Sequence, residues 1–486
     1  MTRPGSAYLG IDLGTSGLKL TVVGASGEIV ADAEAAYDVE APQPGFAETD
    51  PADWLAALRQ ARADLARRLD ASDTPAVPEA VGVTGQMHGV VLTDDAGKPV
   101  RPAILWPDQR AASTLAEWQQ LDAVVRGRLA NPISAGMAGP MLTWLVEHEP
   151  EVVGSAALVR SPKDWLRSQL TGDVVTERSD ASATLLWDVV ADGWSGDAAS
   201  VAGVRLEQLP DVADSAAVVG SGDWGPIDAA GHDVPVVAGG ADTACALLAV
   251  RSAYAAENRD AIVVNVGTGI QLVRTNADPV PRQEPSSHLY ADADGGWYEM
   301  LAIQNGGLAL SWAQRRLDLD WTAFVAAAQA SAVGAADLSF LPFVTGERGA
   351  IAPPQPRVGW VGRDTLDTGA QARAAFEALA FTIRRGVELL GSAAADAPLV
   401  VSGGGARDPW VRQLVSDVLG RPLTYVPLRS ASAVGAAVLA ARGVGSALPV
   451  AADPVDVLPT TSSALDDAYH RWLDAIAASG RAQLAD

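Results

Sequence analysis

The sequence predicts an α/β protein built from two halves of similar architecture. The chain has 486 residues, about three times a typical domain, and apolar strand patterns alternate with amphipathic helix patterns along it. A strand, a glycine-rich turn and a second strand follow one another at residues 8–23 and again at residues 261–273. Asp12 and Asn265 hold matching places in the two copies, 253 positions apart. This spacing favours duplication of one domain architecture over a chance match.

The elements between and after these two hairpins follow ordinary start and stop signals. Asp50 before Pro51 predicts an N-capped helix, and the apolar stripe of residues 370–391 is typical of a long amphipathic helix. The other elements are predicted in order as strand 80–84, helix 115–128, strand 234–237, strand 398–402, helix 409–419, strand 423–426 and helix 430–442.

Composition excludes several classes of protein. Apolar residues make up 48% of the chain and charged residues 19%, so it can build large cores and is not disordered. The formal charge of −24 repels phosphate backbones and anionic lipids, which argues against nucleic acid and membrane partners. The single cysteine, Cys245, excludes an internal disulfide. With neither a secretory signal nor a membrane-length apolar run, the sequence predicts a soluble, cytoplasmic protein.

The glycine-rich turns are either ordinary hairpin turns or phosphate-binding loops, in which backbone N–H groups and hydroxyls contact phosphate oxygens. A dinucleotide fingerprint is disfavoured because these glycines lead into a strand and not into a helix. A P-loop is absent, since Lys98 is followed by Pro99. Residues 403–405 lie between a strand and a helix. This placement is equally consistent with a phosphate-binding turn and with a purely structural turn.

Several segments resemble the FGGY family of carbohydrate kinases, and they occur in family order over nearly the whole chain. They are residues 85–89 (GQMHG), 105–110 (LWPDQR), 131–136 (NPISAG), 161–166 (SPKDWL), 179–182 (SDAS), 239–242 (GGAD) and 402–407 (SGGGAR). The resemblance implies two actin-like domains with ribonuclease-H-like cores and a cleft between them. It further implies transfer of the γ-phosphoryl group of ATP to a primary hydroxyl of a ketose, with Mg²⁺ present.

The resemblance also implies a domain organisation. Residues 1–248 are expected to form the N-terminal domain, which binds sugar and carries the catalytic base. Residues 249–446 are expected to form the nucleotide-binding domain, and residues 447–486 a C-terminal tail with a helix. A homodimer is expected only by analogy with the family.

Two aspartates carry the chemistry that the resemblance implies. Asp242 corresponds to the base that accepts the proton of the sugar hydroxyl, although it also suits the N-cap of a helix and the two roles are compatible. Asp12 corresponds to the aspartate that orients Mg²⁺ through water, with Asp242 as the second carboxylate. The resemblance thus makes both residues catalytic and both candidates for the metal site.

The sugar-binding residues implied by the resemblance are Met87 and His88. Gln86, Trp106 and Asp108 are further candidates for contacts with the sugar, and Trp106 could equally be a core residue. The nucleotide-binding residues implied by the resemblance are Gly14, Thr15, Ser16, Gly267, Thr268, Gly307, Gly404, Gly405 and Arg407. Arg407 could lie over the adenine or be a solvated surface arginine.

The resemblance favours one sugar and leaves others open. The segments are most similar to those of xylulokinases, which favours D-xylulose and leaves D-ribulose, sedoheptulose or a related polyol open. Ala138, Met141, Val358 and Arg363 depart from the family's signatures. An actin-like filament or chaperone ATPase and a non-catalytic sugar sensor are the rival classes. The 239–242 segment with Met87 and His88 argues against the first, and the presence of Asp12 and Asp242 argues against the second.

Overall fold

A computed structural model gives the structure of the protein. It describes residues 5–72, 76–222, 233–254, 260–347, 351–352, 354–362, 367–391, 394–460 and 462–481. Within these ranges, no helix is both long enough and apolar enough to cross a membrane.

The strands are, in chain order, β1 (Ser6–Leu13), β2 (Gly17–Gly24), β3 (Ile29–Ala36), β4 (Glu48–Thr49), β5 (Val77–Gly85), β6 (Val91–Thr93), β7 (Ala103–Ile104), β8 (Leu158–Arg160), β9 (Thr176–Glu177), β10 (Trp187–Asp188), β11 (Gly193–Trp194), β12 (Val212–Ala213), β13 (Val218–Gly222), β14 (Val234–Val237), β15 (Gly240–Ala241), β16 (Ile262–Val266), β17 (Ile270–Thr275), β18 (His288–Ala291), β19 (Trp297–Ile303), β20 (Ser339–Phe343), β21 (Arg357–Val361), β22 (Leu399–Ser402), β23 (Leu423–Tyr425) and β24 (Val455–Val457).

The α-helices are α1 (Pro51–Asp70), α2 (Leu115–Gln119), α3 (Ala123–Leu129), α4 (Ala138–His148), α5 (Pro150–Ser155), α6 (Pro162–Thr171), α7 (Arg178–Ala181), α8 (Gly196–Val201), α9 (Asp242–Tyr254), α10 (Gly307–Arg316), α11 (Trp321–Ala330), α12 (Thr368–Leu389), α13 (Pro409–Leu419), α14 (Ala431–Gly443) and α15 (Ser463–Arg481).

The chain divides into two compact units, and each is interrupted in sequence. The first consists of Met1–Ala256, Ala277–Tyr298 and Ser430–Ala451, and the second of Glu257–Asn276, Glu299–Arg429 and Ala452–Asp486. These units differ from the continuous domains expected from the sequence, because residues 277–298 and 430–451 pack with the first unit. Helix α14 packs against β1 and β5 so closely that a Cβ atom on Gly82 would lie 2.0 Å from the carbonyl oxygen of Ala436.

The first unit is organised around one sheet with the strand order β13-β14-β5-β1-β2-β3, to which β15 adds at the end of β5. The predicted hairpin is confirmed as β1 and β2, which pair antiparallel, and β5 runs parallel to β1. Successive side chains of β1 point to opposite faces. Leu9, Ile11 and Leu13 are buried with α1 on one face, so Asp12 belongs to the other face.

The second unit repeats this local architecture. The predicted second hairpin is confirmed as β16 and β17, and β22 runs parallel to β16. Asn265 pairs in register with Ser402 of β22, as Asp12 pairs with Thr84 of β5. Ile262, Val264 and Val266 enter the core with α12, which again leaves the polar residue of the hairpin on the other face.

One sequence prediction was wrong in detail. The single helix predicted over residues 115–128 is broken into α2 and α3, because Asp122 caps the second helix by accepting a hydrogen bond from the Val124 amide. The segment 447–486 contains the helix that was expected in the C-terminal tail. Its helix α15 inserts the fully buried Trp472 into the core of the second unit, and the Trp472 indole donates to the carbonyl oxygen of Phe340 at 2.9 Å.

Candidate active site

The first unit places the two predicted catalytic aspartates at one end of its sheet. Strands β1 and β15 both run parallel to β5, and Asp12 and Gly240 both stand in register with Thr84 of β5. Asp242 follows β15 directly and begins helix α9. Because β1 and β15 lie on opposite sides of β5, the two carboxylates flank the carboxyl end of this strand, where α/β proteins commonly bind ligands.

Burial perturbs both carboxyl groups, and the charge of Asp242 acts in addition on Asp12. The pKa of Asp12 is raised to about 7, first by burial and then by the charge of Asp242, against the opposing charge of Lys19. Burial raises the pKa of Asp242 to about 6 against hydrogen bonds from Thr243, whose amide donates to Oδ1 at 2.5 Å and whose hydroxyl donates to it at 3.2 Å. Two neighbouring carboxyl groups that titrate near neutrality are typical of a catalytic or cation-binding centre.

The donor set of this centre suits Mg²⁺, which prefers hard oxygen ligands and keeps most of its water. Two half-buried carboxylates with a single opposing lysine form a site that a divalent cation would neutralise. The described residues contain no group of three or more metal-ligating side chains. Asp12 and Asp242 therefore fit a largely hydrated Mg²⁺ ion and not a fully protein-coordinated one.

The turn of the first hairpin is held by side chains from elsewhere in the unit. The amide of Gly14 donates to the carbonyl oxygen of Gly17 at 2.9 Å. The carbonyl oxygen of Gly14 accepts from the Tyr37 hydroxyl and, at 3.2 Å, from Gln86 Nε2. Trp106 is 38% exposed, so it is not a core residue, and its indole donates to Thr15 Oγ1 at 2.9 Å.

This geometry brings two sugar candidates, Gln86 and Trp106, to the predicted phosphate loop of residues 14–16, and Ser16 is exposed beside them. Gln86 is buried, and its Oε1 has no hydrogen-bond partner among the residues that the structure describes. A bound hydroxyl or water would satisfy this buried acceptor.

Met87 and His88 form the loop after β5. Met87 is buried, whereas His88 adopts the left-handed conformation with φ of 71°, which is uncommon for a residue with a side chain. The imidazole Nδ1 of His88 lies 2.6 Å from the carbonyl oxygen of Ala183, and its ring centre lies 5.8 Å from that of Tyr290. The contacts orient the His88 ring, and its predicted contact with sugar stays a prediction.

Asp108 is engaged within the protein. Its side chain is fully buried, and its two carboxylate oxygens accept four hydrogen bonds, from the amides of Ala47 and Arg110 and from Nε and Nη2 of Arg110. This arrangement favours a structural ion pair over a contact with the sugar.

In the second unit, the turn of the second hairpin bonds to the segment before α10. The amide of Gly307 donates to the carbonyl oxygen of Gly267 at 2.9 Å, and the carbonyl oxygen of Thr268 accepts from the amides of Gly306 and Leu308 at 3.1 and 2.9 Å. Three of the predicted nucleotide-binding residues therefore belong to one bonded backbone cluster, and the Thr268 side chain is exposed beside it.

Asn305 and Glu347 hold this cluster from beneath. The Asn305 amide group donates to the carbonyl oxygen of Gly346 at 2.6 Å and to Glu347 Oε2 at 2.9 Å, and its Oδ1 accepts from the Val344 amide at 2.9 Å. Glu347 also accepts from the backbone amides of Gln304 and Asn305. Both side chains are at most 3% exposed, so their hydrogen bonds go to the protein and not to water.

The segment after β22 forms a short turn before α13. The amide of Arg407 donates to the carbonyl oxygen of Gly404 at 3.2 Å, and the Arg407 side chain is exposed. No side chain of the described residues fills the space around Gly404, since a Cβ atom there would meet no atom within 4 Å. The turn is open enough for a ligand, and the roles of Gly404, Gly405 and Arg407 stay predictions.

Sequence reasoning missed two groups of residues near Asp242. Tyr298 is fully buried with no partner for its hydroxyl among the described residues, and burial first, then the charges of Tyr290 and Asp242, raise its pKa well above the ordinary value. The second group is a buried cluster of charges from the SPKDWL and SDAS segments and their surroundings. One feature of the sequence could have drawn attention to this cluster, because Lys163 is one of only three lysines in the chain.

The departures from the family's signatures are accommodated structurally. Ala138 and Met141 lie in α4 at 3% and 0% exposure, and Val358 is half-buried in β21. Arg363 lies outside the described residues.

Each unit thus consists of an antiparallel hairpin with a glycine turn, joined by a parallel strand, with helices against the sheet. This repeated architecture defines the actin-like, ribonuclease-H-like class of ATPases, and it confirms the fold class expected from the sequence. The chain belongs to the FGGY family of carbohydrate kinases, because the family's N-terminal domain matches residues 7–249 and its C-terminal domain matches residues 262–444. The protein is therefore a sugar kinase that transfers a phosphoryl group.

Characterised relatives cover nearly the whole chain. It is 32% identical over 449 residues to the xylulose kinase of Escherichia coli (strain K12), which covers 90% of this chain and 89% of that protein. It is 30% identical over 441 residues to the xylulose kinase of Klebsiella pneumoniae, with the same two coverages. The crystal structure of the xylulose kinase from Rhodospirillum rubrum matches with a TM-score of 0.86 at 25% identity, covering 97% of this chain and 98% of that one.

Proposed function

We propose that this protein transfers the γ-phosphoryl group of Mg²⁺-ATP to the primary 5-hydroxyl group of D-xylulose, giving D-xylulose 5-phosphate and ADP. The observation that carries the proposal is the half-buried Asp242, which begins α9 at the carboxyl end of β15 with its pKa raised to about 6. The names of the relatives support the choice of acceptor.

Asp242 acts as the general base. Its carboxylate accepts the proton of the sugar hydroxyl while the hydroxyl oxygen bonds to the γ-phosphorus and the bond from this phosphorus to the β–γ bridging oxygen breaks, so that ADP leaves. A base with a pKa of about 6 is mostly ionised at neutral pH and still basic enough to hold the proton. Met87 and His88 orient the sugar chain beside it.

The predicted nucleotide-binding residues position the phosphates. The amides of Gly14, Gly267 and Gly307 are bonded within the protein and shape the two turns. The amides of Thr15, Ser16 and Thr268 are the donors to phosphate oxygens, and Gly404, Gly405 and Arg407 border the nucleoside. Bound Mg²⁺ supplies charge neutralisation for the phosphates, and Asp12 and Asp242 would hold it.

The rival classes lack this support. A filament or chaperone ATPase needs no base beside a sugar site, and a sugar sensor needs neither Asp12 nor Asp242. Membership of a carbohydrate kinase family disfavours both. A homodimer stays a prediction.

The proposal is tested by measuring ADP release with Mg²⁺-ATP and a panel containing D-xylulose, D-ribulose, sedoheptulose and common polyols. D-Xylulose is expected to give the highest kcat/KM. Asp242→Asn is expected to lower kcat by about 10²–10⁴-fold, the usual scale for loss of a general base, while ATP still binds. Asp95→Asn, an exposed aspartate of the same unit, is the matched control. Near-full turnover of Asp242→Asn would contradict the base assignment, and a different preferred sugar would contradict the assignment of the substrate.

A further inference from the structure

The turn that presents Asp242 is tightly constrained. Gly239 has φ of 84°, and a Cβ atom there would lie 1.7 Å from the carbonyl oxygen of Val83, so only glycine fits. The amides of Ala238 and Gly239 donate to the carbonyl oxygens of Ala217 and Ser215 at 2.9 Å each. The backbone of this turn is therefore anchored on its upstream side before the chain reaches Asp242.

Two side chains hold the turn at its two ends. Arg167 Nη1 donates to the carbonyl oxygen of Ala238 at 2.6 Å, and the amide of Ala241, the residue before Asp242, donates to Ser179 Oγ at 2.9 Å. Arg167 and Ser179 are both fully buried, so water cannot replace either contact.

These two side chains belong to one continuous buried cluster. Ser179 Oγ lies 2.7 Å from Glu177 Oε2, Lys163 Nζ lies 3.4 Å from Glu177 and 2.6 Å from Asp164, and Arg167 lies 2.5 Å from Asp164. Asp180 joins through Lys163 at 3.1 Å. All six side chains are at most 3% exposed. The contacts form a closed path from one end of the turn to the other, through Ala241, Ser179, Glu177, Lys163, Asp164, Arg167 and Ala238.

Stability alone does not explain this cluster. Moving ions out of water costs free energy that their mutual attraction only roughly offsets. Well-packed apolar residues often stabilise a core as well or better. What the charges provide here is geometry, because charge-assisted hydrogen bonds are short and directional.

We propose that Ser179 and Arg167 are positioning residues for the phosphoryl transfer, which the charged cluster of Lys163, Asp164, Glu177 and Asp180 holds in place. They fix the turn so that the Asp242 carboxylate meets the sugar hydroxyl at hydrogen-bond distance. The inference rests on the proposed function of Asp242 as the base.

Ser179→Ala is the smallest change that tests this proposal. It removes the hydroxyl that links Glu177 to the Ala241 amide and leaves the charges in place. It is expected to lower kcat by about 10–100-fold, the scale of a small displacement of a catalytic group, with the Kd for ATP unchanged. Ser168→Ala is the matched control, because Ser168 is a buried serine of the same unit that bonds Arg160 at 2.7 Å and does not contact the turn. Its kcat is expected to stay within about twofold of the wild-type value.

The same substitution in the Asp242→Asn background separates positioning from general destabilisation. If Ser179 acts through the Asp242 carboxylate, adding Ser179→Ala to Asp242→Asn lowers kcat no further, because residues that act as a unit are not additive. Additive losses, an unchanged kcat of Ser179→Ala, or an equal loss in ATP affinity would overturn the positioning role. Near-full turnover of Asp242→Asn alone would instead overturn the base assignment beneath it. If Ser179→Ala does not fold, Ser179→Cys, which keeps the size and weakens the acceptor, is measured in the same cycle with the same expectations.

Discussion

Replacing Asp12 by asparagine is expected to stabilise the metal-free protein at neutral and alkaline pH while it removes activity. Burial, with the nearby charge of Asp242, raises the pKa of Asp12 from its usual 3.8 to about 7. The folded protein therefore binds this proton more tightly than the unfolded chain does, and ionisation of Asp12 opposes folding. Below about pH 3.8, Asp12 is protonated in both the folded and the unfolded protein, and the destabilisation is absent. The destabilisation grows as the pH rises and is complete once the pH exceeds the folded pKa of about 7.

The magnitude follows from the two pKa values. One pKa unit corresponds to about 1.4 kcal/mol, so a rise from 3.8 to about 7 amounts to at most about 4 kcal/mol at high pH. Asparagine keeps the size of the side chain and removes the charge. The Tm of Asp12→Asn should therefore exceed that of the wild-type protein by several degrees at about pH 8 and by little at about pH 4.

Thermal unfolding in EDTA across this pH range measures the effect. Asp164→Asn is the contrasting control: burial alone would raise the pKa of Asp164, but Lys163 and Arg167 hold it below its usual range, so this variant should be less stable than the wild-type protein at neutral pH. Mg²⁺ should raise the Tm of the wild-type protein at high pH more than that of Asp12→Asn. A Tm difference between Asp12→Asn and the wild-type protein that is independent of pH, or a loss of stability at about pH 8, would refute the reasoning.

Two further predictions concern catalysis and nucleotide binding. The kcat/KM for the sugar should fall as the pH drops below about 6, because Asp242 then holds a proton and cannot accept another; a pH–rate profile without this acid limb would contradict the role of Asp242. Asn305→Ala should weaken ATP binding by roughly tenfold or more and leave the KM for the sugar nearly unchanged, because it removes the buried bonds beneath the 306–308 loop. Calorimetry with an ATP analogue measures the first effect, and an equal loss for both substrates would count against it.

Local sequence patterns predicted the two hairpins and several of the longer helices. The hairpins at β1–β2 and β16–β17 follow from apolar runs interrupted by glycines, and helix α12, Thr368–Leu389, follows from an apolar stripe at helical spacing. The helix predicted over residues 115–128 was the exception, because a local cap at Asp122 begins a second helix inside a continuous helical pattern.

The sequence supplied the candidate residues of the site, and the structure supplied their partners. Asp12 and Asp242 were identified from their motifs, together with the glycine turns. Asp108 was expected to contact the sugar, and only the structure shows that its carboxylate is occupied by Arg110 and the Ala47 amide. The sequence alone carried no information on the Ala47 amide, which lies 61 positions away, and it does not show that the nearby Arg110 folds back onto this carboxylate.

The sequence by itself determined the two hairpins, the family and the residue types available for chemistry, because these depend on short-range periodicity and on motifs. Only the tertiary structure decided that Asp12 and Asp242, 230 positions apart, flank one strand, and that residues 430–451 return to the first unit. It alone also closed the buried path from Ser179 to Arg167 around the turn before Asp242. The physical reason is that pKa values, hydrogen-bond partners and burial depend on neighbours from remote parts of the chain, which strand pairing and helix packing bring together.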